Sequence, residues 1–305
     1  MKKKFSTIII CILFLAGLSL LLYPFVANQW NNHRQAQLIN RYDEVVQAME
    51  ETGKIDYPSE WEKAQSYNAD LLPSILPDSF AVAEASEGED ERYMSCLNIS
   101  EDGMMGTVEI PKIDVMLPIY HTTEEDVLSV AAGHLEGSSL PIGGETSHAV
   151  ISAHRGLPSA TLFTDLDKME EGDHFFLHIL DETLAYEVDM ISVVEPEETD
   201  NLAVVQGEDL VTLLTCTPYG VNTQRLLVRG HRVPYEESLV ENEESPLGSV
   251  SLRTNYLLWV IVGLAVTGAF ILLLYILDRK HRRAAALKAT RAARAALTEE
   301  EDKKE

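Results

Sequence analysis

The sequence predicts a mainly β domain, a closed barrel or a sandwich, held between two membrane helices. Three observations predict it: a long apolar run near each end, a series of short β-like runs between them, and a charge distribution that sets the ends apart from the middle. Phe5 to Val26 is almost unbroken apolar sequence and follows Met1-Lys2-Lys3-Lys4; Tyr256 to Leu277 is equally apolar and precedes Asp278-Arg279-Lys280-His281-Arg282-Arg283. Each run is about 22 residues, and a helix needs about 20 to cross the roughly 30 Å hydrocarbon core. Both basic clusters lie on the side away from the middle of the chain. The positive-inside rule therefore places both termini in the cytoplasm and residues 28–254 outside, a two-pass protein of the cell membrane. A cleaved signal peptide is the competing reading of the first run. Its apolar stretch exceeds an ordinary signal core, however, and Phe25-Val26-Ala27 is a poor cleavage site.

Between the runs the texture changes in steps. After a cytoplasmic tail, 1–4, and the first membrane helix, 5–27, residues 28–72 read as a helical stalk: Trp30, Leu38, Tyr42, Val45, Val46 and Met49 recur at helical spacing. Gly53 and Tyr57-Pro58-Ser59 interrupt it, and a second helix is expected from Ser59, with Glu62 as its capping-box partner. Residues 73–103 carry prolines, Asp78 and the acidic stretch from Glu84 to Glu91, and read as an irregular exposed segment of the length that is usually functional or disordered. Residues 104–235 alternate short β-like runs with turns: Gly106–Ile113, Val115–Tyr120, Ala149–Ser152, His174–Leu180, Leu184–Val194, Leu210–Thr215 and Arg225–Val233. Helical insertions are expected at Glu124–Ala132 and Leu162–Met169. An acidic linker, 236–254, then leads to the second membrane helix, 255–277, and a basic cytoplasmic tail, 278–305.

The 305 residues include 24 Lys and Arg against 49 Asp and Glu. Removing the basic residues of 1–4 (3) and the 9 basic and 6 acidic residues of 278–305 leaves 12 basic and 43 acidic residues, a balance of −31 over 5–277. Such a surface repels nucleic acid and anionic lipid and favours neutral or cationic partners, although a solvated acidic coat needs no partner. The basic tail suits anionic headgroups.

Cys216 ends the run Val211–Thr215 and precedes the turn Thr217-Pro218-Tyr219-Gly220, so its side chain can face a cleft while a strand holds its backbone. His154 ends Ala149–Ala153 in the same way, and Arg225 opens the strand after the Cys216 turn. Each alone has a plain structural reading: a buried thiol, a satisfied histidine, a surface ion pair. Together they form an acyl-transfer set. A nearby cation favours the nucleophilic thiolate, histidine exchanges protons with the thiol and an amine, and arginine donates to an oxyanion. Cys96 shares the outer region, so a Cys96–Cys216 disulfide in an oxidising space is the alternative. No metal-ligand spacing surrounds His148 or His154, and Gly143-Gly144 reads as a turn.

The longer strings resemble the sortase family, and its pilin-polymerising class C branch in particular. The resemblance runs from about Gly103 to Tyr235 and includes Asp102-Gly103-Met104-Met105-Gly106, Glu109-Ile110-Pro111-Lys112-Ile113, Gly133-His134-Leu135-Glu136-Gly137-Ser138-Ser139-Leu140-Pro141, Ser152-Ala153-His154-Arg155-Gly156-Leu157-Pro158, Thr212-Leu213-Leu214-Thr215-Cys216-Thr217-Pro218-Tyr219-Gly220 and Arg225-Leu226-Leu227-Val228-Arg229-Gly230. It implies an eight-stranded β-barrel with Cys216 as nucleophile, His154 as catalytic histidine and Arg225 as the substrate-stabilising arginine. The chemistry implied is cleavage of an LPXTG-like sorting signal between Thr and Gly, with the thioester resolved by an amine. Pilin subunits or surface proteins with C-terminal sorting signals are the implied partners, and no cofactor is. In the class C branch a lid with an Asp-Pro-aromatic motif covers the cleft. Here Asp78-Ser79-Phe80 stands at that place, with Ser79 for the proline, so Asp78 is expected against Arg225 and Phe80 over Cys216. Gln224 departs from a histidine common in relatives. The alternatives are a sortase acting on a cell-wall precursor amine and a non-enzymatic scaffold on an inactive barrel.

Overall fold

The computed structural model describes residues 2–71, 78, 80 and 91–236, together with scattered positions between 239 and 290. Helix α1 runs unbroken from Lys2 to Glu51, with Pro24 inside it. The apolar run and the first part of the expected stalk, distinct in composition, are thus one helix: hydropathy changes at Val26, but nothing there breaks the backbone. Gly53, at φ +63°, ends it, as Gly53 N–H donates to Glu50 O and Lys54 N–H to Met49 O. Among the described residues α1 is the one helix long and apolar enough to cross a membrane. Helix α2 spans Tyr57–Asp70, starting two residues before the expected Ser59. Its cap is Asp56, whose carboxylate accepts from Ser59 N–H at 3.2 Å, so the expected Ser59–Glu62 capping box is not the one used. Trp61 Nε1 donates to Asp181 Oδ1 at 3.0 Å, and Asn68 brackets Leu140, accepting from its N–H at 2.7 Å.

The domain is a closed eight-stranded barrel: β1 Met104–Ile110, β2 Val115–His121, β3 Ala132–His134, β4 Ser147–Ser152, β5 His174–Ile179, β6 Glu182–Val194, β7 Asp209–Thr217 and β8 Gln224–Val233. Around the barrel the order is β1-β2-β3-β4-β7-β8-β6-β5. Pairing is antiparallel except for β2 with β3 and β4 with β7. Closure leaves no sheet edge for another chain to pair with. Successive side chains face opposite sides of a strand, so the wall formed by β4, β7 and β8 has two apolar faces. Ile151, Val211, Leu213, Leu226 and Val228 point into the main core with Phe175 and Tyr186, whereas Val150, Leu214 and Leu227 join a second cluster with Leu135 and Leu202. That second face carries the site.

The expected helix Glu124–Ala132 is shorter, α4 Glu125–Leu128, and its last expected residue already belongs to β3. Of Leu162–Met169 only Leu166–Lys168 forms a single 3-10 turn. The segment read as irregular from 73 to 103 is not exposed throughout. Helix α3, Glu91–Ser95, and the residues after it place Tyr93, Cys96 and Leu97 fully inside. Tyr93 Oη lies 3.0 Å from His134 Nδ1 and accepts from Thr122 N–H at 3.1 Å, while His134 Nε2 faces Ser139 O at 2.8 Å. A neutral His134 satisfies this set by donating from Nε2 and accepting at Nδ1. Burial pushes its pKa down to about 4. Val250–Glu305 form a second unit. The acidic linker, the apolar run 256–277 and the basic tail lie mostly outside the described residues.

Candidate active site

The site begins with strand register. Parallel pairing of β4 with β7 sets Ser152 against Leu214, and the chain continues in step: Ala153 N–H donates to Leu214 O at 3.2 Å and Thr215 Oγ1 donates to Ala153 O at 2.7 Å. One residue further, Arg155 Nη1 donates to Thr217 Oγ1 at 3.1 Å. His154 is therefore level with Cys216, each bracketed by tied neighbours. On the other side, antiparallel β7 and β8 pair Cys216 directly with Arg225. Alternation puts His154 on the side of Val150, Cys216 on that of Leu214, and Arg225 on that of Leu227, all over the second apolar cluster. The three residues singled out from sequence come together at the end of three adjoining strands, Cys216 on β7, Arg225 on β8 and His154 two residues past β4.

Phe80 packs on that cluster and joins the groups above it: its ring centroid is 5.3 Å from the His154 ring and 5.3 Å from the Arg225 guanidinium carbon. Asp78 grips the same guanidinium with both oxygens, Arg225 Nε to Oδ1 at 2.7 Å and Nη2 to Oδ2 at 2.6 Å. Nη1 donates to the carbonyls of Asn222 and Gln224 at 3.3 and 3.1 Å. Every guanidinium nitrogen is thus engaged. Cys216 is 6% exposed and Arg225 8%. Burial pushes the Cys216 thiol pKa up, Arg225 pulls it down, and the Asp78 carboxylate pushes it up again. Burial and the Asp78 carboxylate together hold the thiol toward its neutral form. The disulfide alternative fails, since neither Cys96 nor Cys216 is in a disulfide and Cys96 Sγ donates to Arg92 O.

Two neighbours of the site were not legible as such. Arg155 is a fork between walls: besides Thr217 it donates from Nε to Thr164 O at 3.0 Å, pairs with Asp167, and lies 5.9 Å from the Tyr219 ring centroid. It ties the end of β4 to the turn after Cys216, where the Thr217–Pro218 peptide is cis. Gly156 adopts φ +77°, and a Cβ there would meet the Tyr219 ring at 3.1 Å. Only adjacency to His154 marked Arg155. The second is Glu125, whose Oε2 lies 3.2 Å from His154 Nε2. Its carboxylate is 81% exposed, so the pair contributes little to stability. Among the described residues no group of three or more His, Cys, Asp or Glu converges in a way that could hold a metal ion.

A barrel that aligns a thiol, an imidazole and a guanidinium is the arrangement of a cysteine acyl-transfer enzyme, and comparison with known proteins gives the family. The sortase domain family matches residues 108–233. The chain is similar in structure to sortase C of Streptococcus pneumoniae, with 46% identity, a TM-score of 0.56, and coverage of 65% of this chain and 97% of that one. It is similar to sortase C1 of Streptococcus agalactiae, with 46% identity, a TM-score of 0.58, and coverage of 66% and 100%. A more distant relative, sortase A of Bacillus anthracis, is 27% identical over 233 residues, 76% of this chain and 96% of that protein. The chain belongs to the sortase family, its structural neighbours being sortases of the C type. It is accordingly a transpeptidase.

Proposed function

We infer that this sortase assembles pili: it cleaves an LPXTG-like sorting signal between Thr and Gly and passes the acyl group to a pilin lysine. The convergence of His154, Cys216 and Arg225 on one apolar face carries the reading. Cys216 gives its proton to His154 and attacks the threonine carbonyl. Arg225 donates to the oxyanion, the C–N bond breaks, and the His154 imidazolium returns the proton to the glycine amine. The lysine amine then attacks the thioester, loses its proton to His154 and expels the thiolate, and the imidazolium returns that proton to the Cys216 sulfur, which closes the cycle. The likeness to sortase C of Streptococcus pneumoniae, a protein described in relation to pilin substrate specificity, supports pilin as the acceptor.

Asp78 and Phe80 act as a plug on this reading. While Asp78 holds Arg225, its Nε, Nη1 and Nη2 all donate within the protein, so the plug leaves before a substrate carbonyl takes the place of the Asp78 carboxylate. The N-terminal apolar helix anchors the enzyme, and the second apolar run makes it two-pass, with the barrel outside and both termini in the cytoplasm. The test is incubation of the full chain with pilin. Covalent ladders form with the native enzyme and are absent with Cys216→Ala; ladders at the native rate from that variant would refute the mechanism. A cell-wall precursor amine is the competing acceptor, and it is favoured if the precursor is acylated and pilin is not.

A further inference from the structure

His154 is engaged by Phe80 and by Glu125, and the two have different fates. Phe80 lies over the imidazole, with ring centroids 5.3 Å apart and planes tilted by 32°, while Glu125 Oε2 stands 3.2 Å from Nε2 at the ring's edge. Phe80 departs with the plug. Glu125 stays, because the short helix that carries it, α4, is tied at both ends. Ahead of it, Thr122 N–H donates to the hydroxyl of the fully buried Tyr93 at 3.1 Å. Behind it, Ser129 N–H donates to Glu125 O at 3.0 Å, and the buried Gln35 of α1 donates from Nε2 to Val130 O at 2.8 Å. Leu128, buried in between, pins the helix to the domain. The histidine's own backbone is fixed as well, since Phe163 N–H donates to His154 O at 3.1 Å. Two held backbones thus present a carboxylate to an imidazole, and neither Asp78 nor Phe80 takes part.

A neutral imidazole carries one N–H, and the bond made at one nitrogen decides what the other can do. An ionised carboxylate only accepts, so the hydrogen bond at Nε2 requires the N–H to be there and leaves Nδ1 with its lone pair. We propose that Glu125 is a positioning residue of the reaction: it holds His154 as the Nε2–H tautomer, so that Nδ1 is the nitrogen that exchanges protons with Cys216 and with the amines. This rests on His154 serving as acid and base for Cys216. The thiol proton then passes to Nδ1, while Nε2–H remains on the ring and donates to Glu125 throughout. The imidazolium so formed gives its Nδ1 proton to the glycine amine, takes one from the attacking amine at the same nitrogen, and returns it to the sulfur. Glu125 is never protonated in the cycle. A buried carboxylate in this role counts for about 10⁴ in the rate of a serine protease. Glu125 is 81% exposed, so water competes for both partners and its share is far smaller, about fivefold.

The test uses the full chain in detergent micelles, with an LPXTG peptide as donor and a lysine peptide as acceptor. Glu125→Ala should lower kcat about fivefold and leave KM within about twofold, since the carboxylate acts through His154. Glu125→Gln, whose amide oxygen still accepts from Nε2–H, should fall between that variant and the native enzyme. The second readout is the tautomer itself. Nitrogen-15 spectra of the histidine-labelled chain are recorded near about pH 8.5, above the ordinary histidine range, and His154 is assigned by the signals lost in His154→Ala. In the native chain its Nε2 should be protonated and its Nδ1 bare; Glu125→Ala should show a mixture of both forms. A role confined to packing α4 would leave the tautomer unchanged. Native kcat in Glu125→Ala, a faster variant, or an Nδ1–H form in the native chain would each overturn the proposal. No turnover by the native enzyme, or native turnover by His154→Ala, would instead overturn the reading of His154 on which it rests.

Discussion

Asp78→Ala removes the carboxylate that holds Arg225, and its effect can be worked from the contacts. Two charge-assisted bonds, at 2.7 and 2.6 Å, join side chains only 10% and 14% exposed. Bonds to charged groups contribute about 1.5–3 kcal/mol each. Water recovers part of that for Arg225, leaving a net of about 2 kcal/mol, roughly a thirtyfold rise in the population with Phe80 displaced. The same change deletes a charge that pushes the Cys216 thiol pKa up and leaves burial alone against the Arg225 pull. Accessibility and thiolate fraction therefore move together. Labelling of Cys216 by a charged methanethiosulfonate, followed from pH 6 to 10, should run about 10–100-fold faster at pH 7 in the variant, with its half-maximal pH shifted down. Asp78→Asn should do nearly the same. A change under about twofold, or an upward shift in half-maximal pH, would refute the view that Asp78 restrains the site.

Phe80→Ala, which keeps the ion pair but loses the ring between His154 and Arg225, should speed the same labelling by roughly three- to tenfold, less than Asp78→Ala. Arg155→Ala should lower kcat at least about tenfold with KM little changed, because it unties His154 from Cys216 without touching substrate. Arg155→Lys should not rescue, since one ammonium cannot replace the fork to Thr164, Thr217 and Asp167. His134 should make stability fall in acid. Its folded pKa, about 4, lies below the ordinary 6.5, so its contribution is complete above 6.5 and lost as the pH falls through about 4. The loss is roughly 3 kcal/mol. Urea titrations of the detergent-solubilised chain at pH 7 and pH 4 should show it, and His134→Gln should flatten the slope by a comparable amount.

What the sequence disclosed follows from how each feature is encoded. The longer strands announce themselves through β-branched runs, but β3 has three residues, too few for a period of two to appear, and its first residue was read as the end of a helix. The composition break at Val26 marks where the apolar run ends, not where the helix does, which is why the run and the polar stretch after it read as two elements. In 91–103 Tyr93, Cys96 and Leu97 are isolated apolar residues next to an acidic stretch, and their burial depends on partners such as His121 and His134 that no local pattern reveals. Cys216, His154 and Arg225 were visible because each stands where a strand meets a turn. Their mutual register depends on the parallel pairing of β4 with β7, which is a property of the closed barrel. Asp78 and Phe80 were found through the resemblance despite Ser79, and the ion pair and ring contact they make need no proline.

The reading stands or falls on covalent chemistry at one sulfur. Intact-mass spectrometry of the full chain after exposure to an LPXTG peptide should show Cys216 carrying the peptide truncated after its threonine, the adduct disappearing when a lysine amine is added. An unmodified Cys216 alongside cleaved peptide, or an adduct formed equally by Arg225→Lys and His154→Ala, would contradict it.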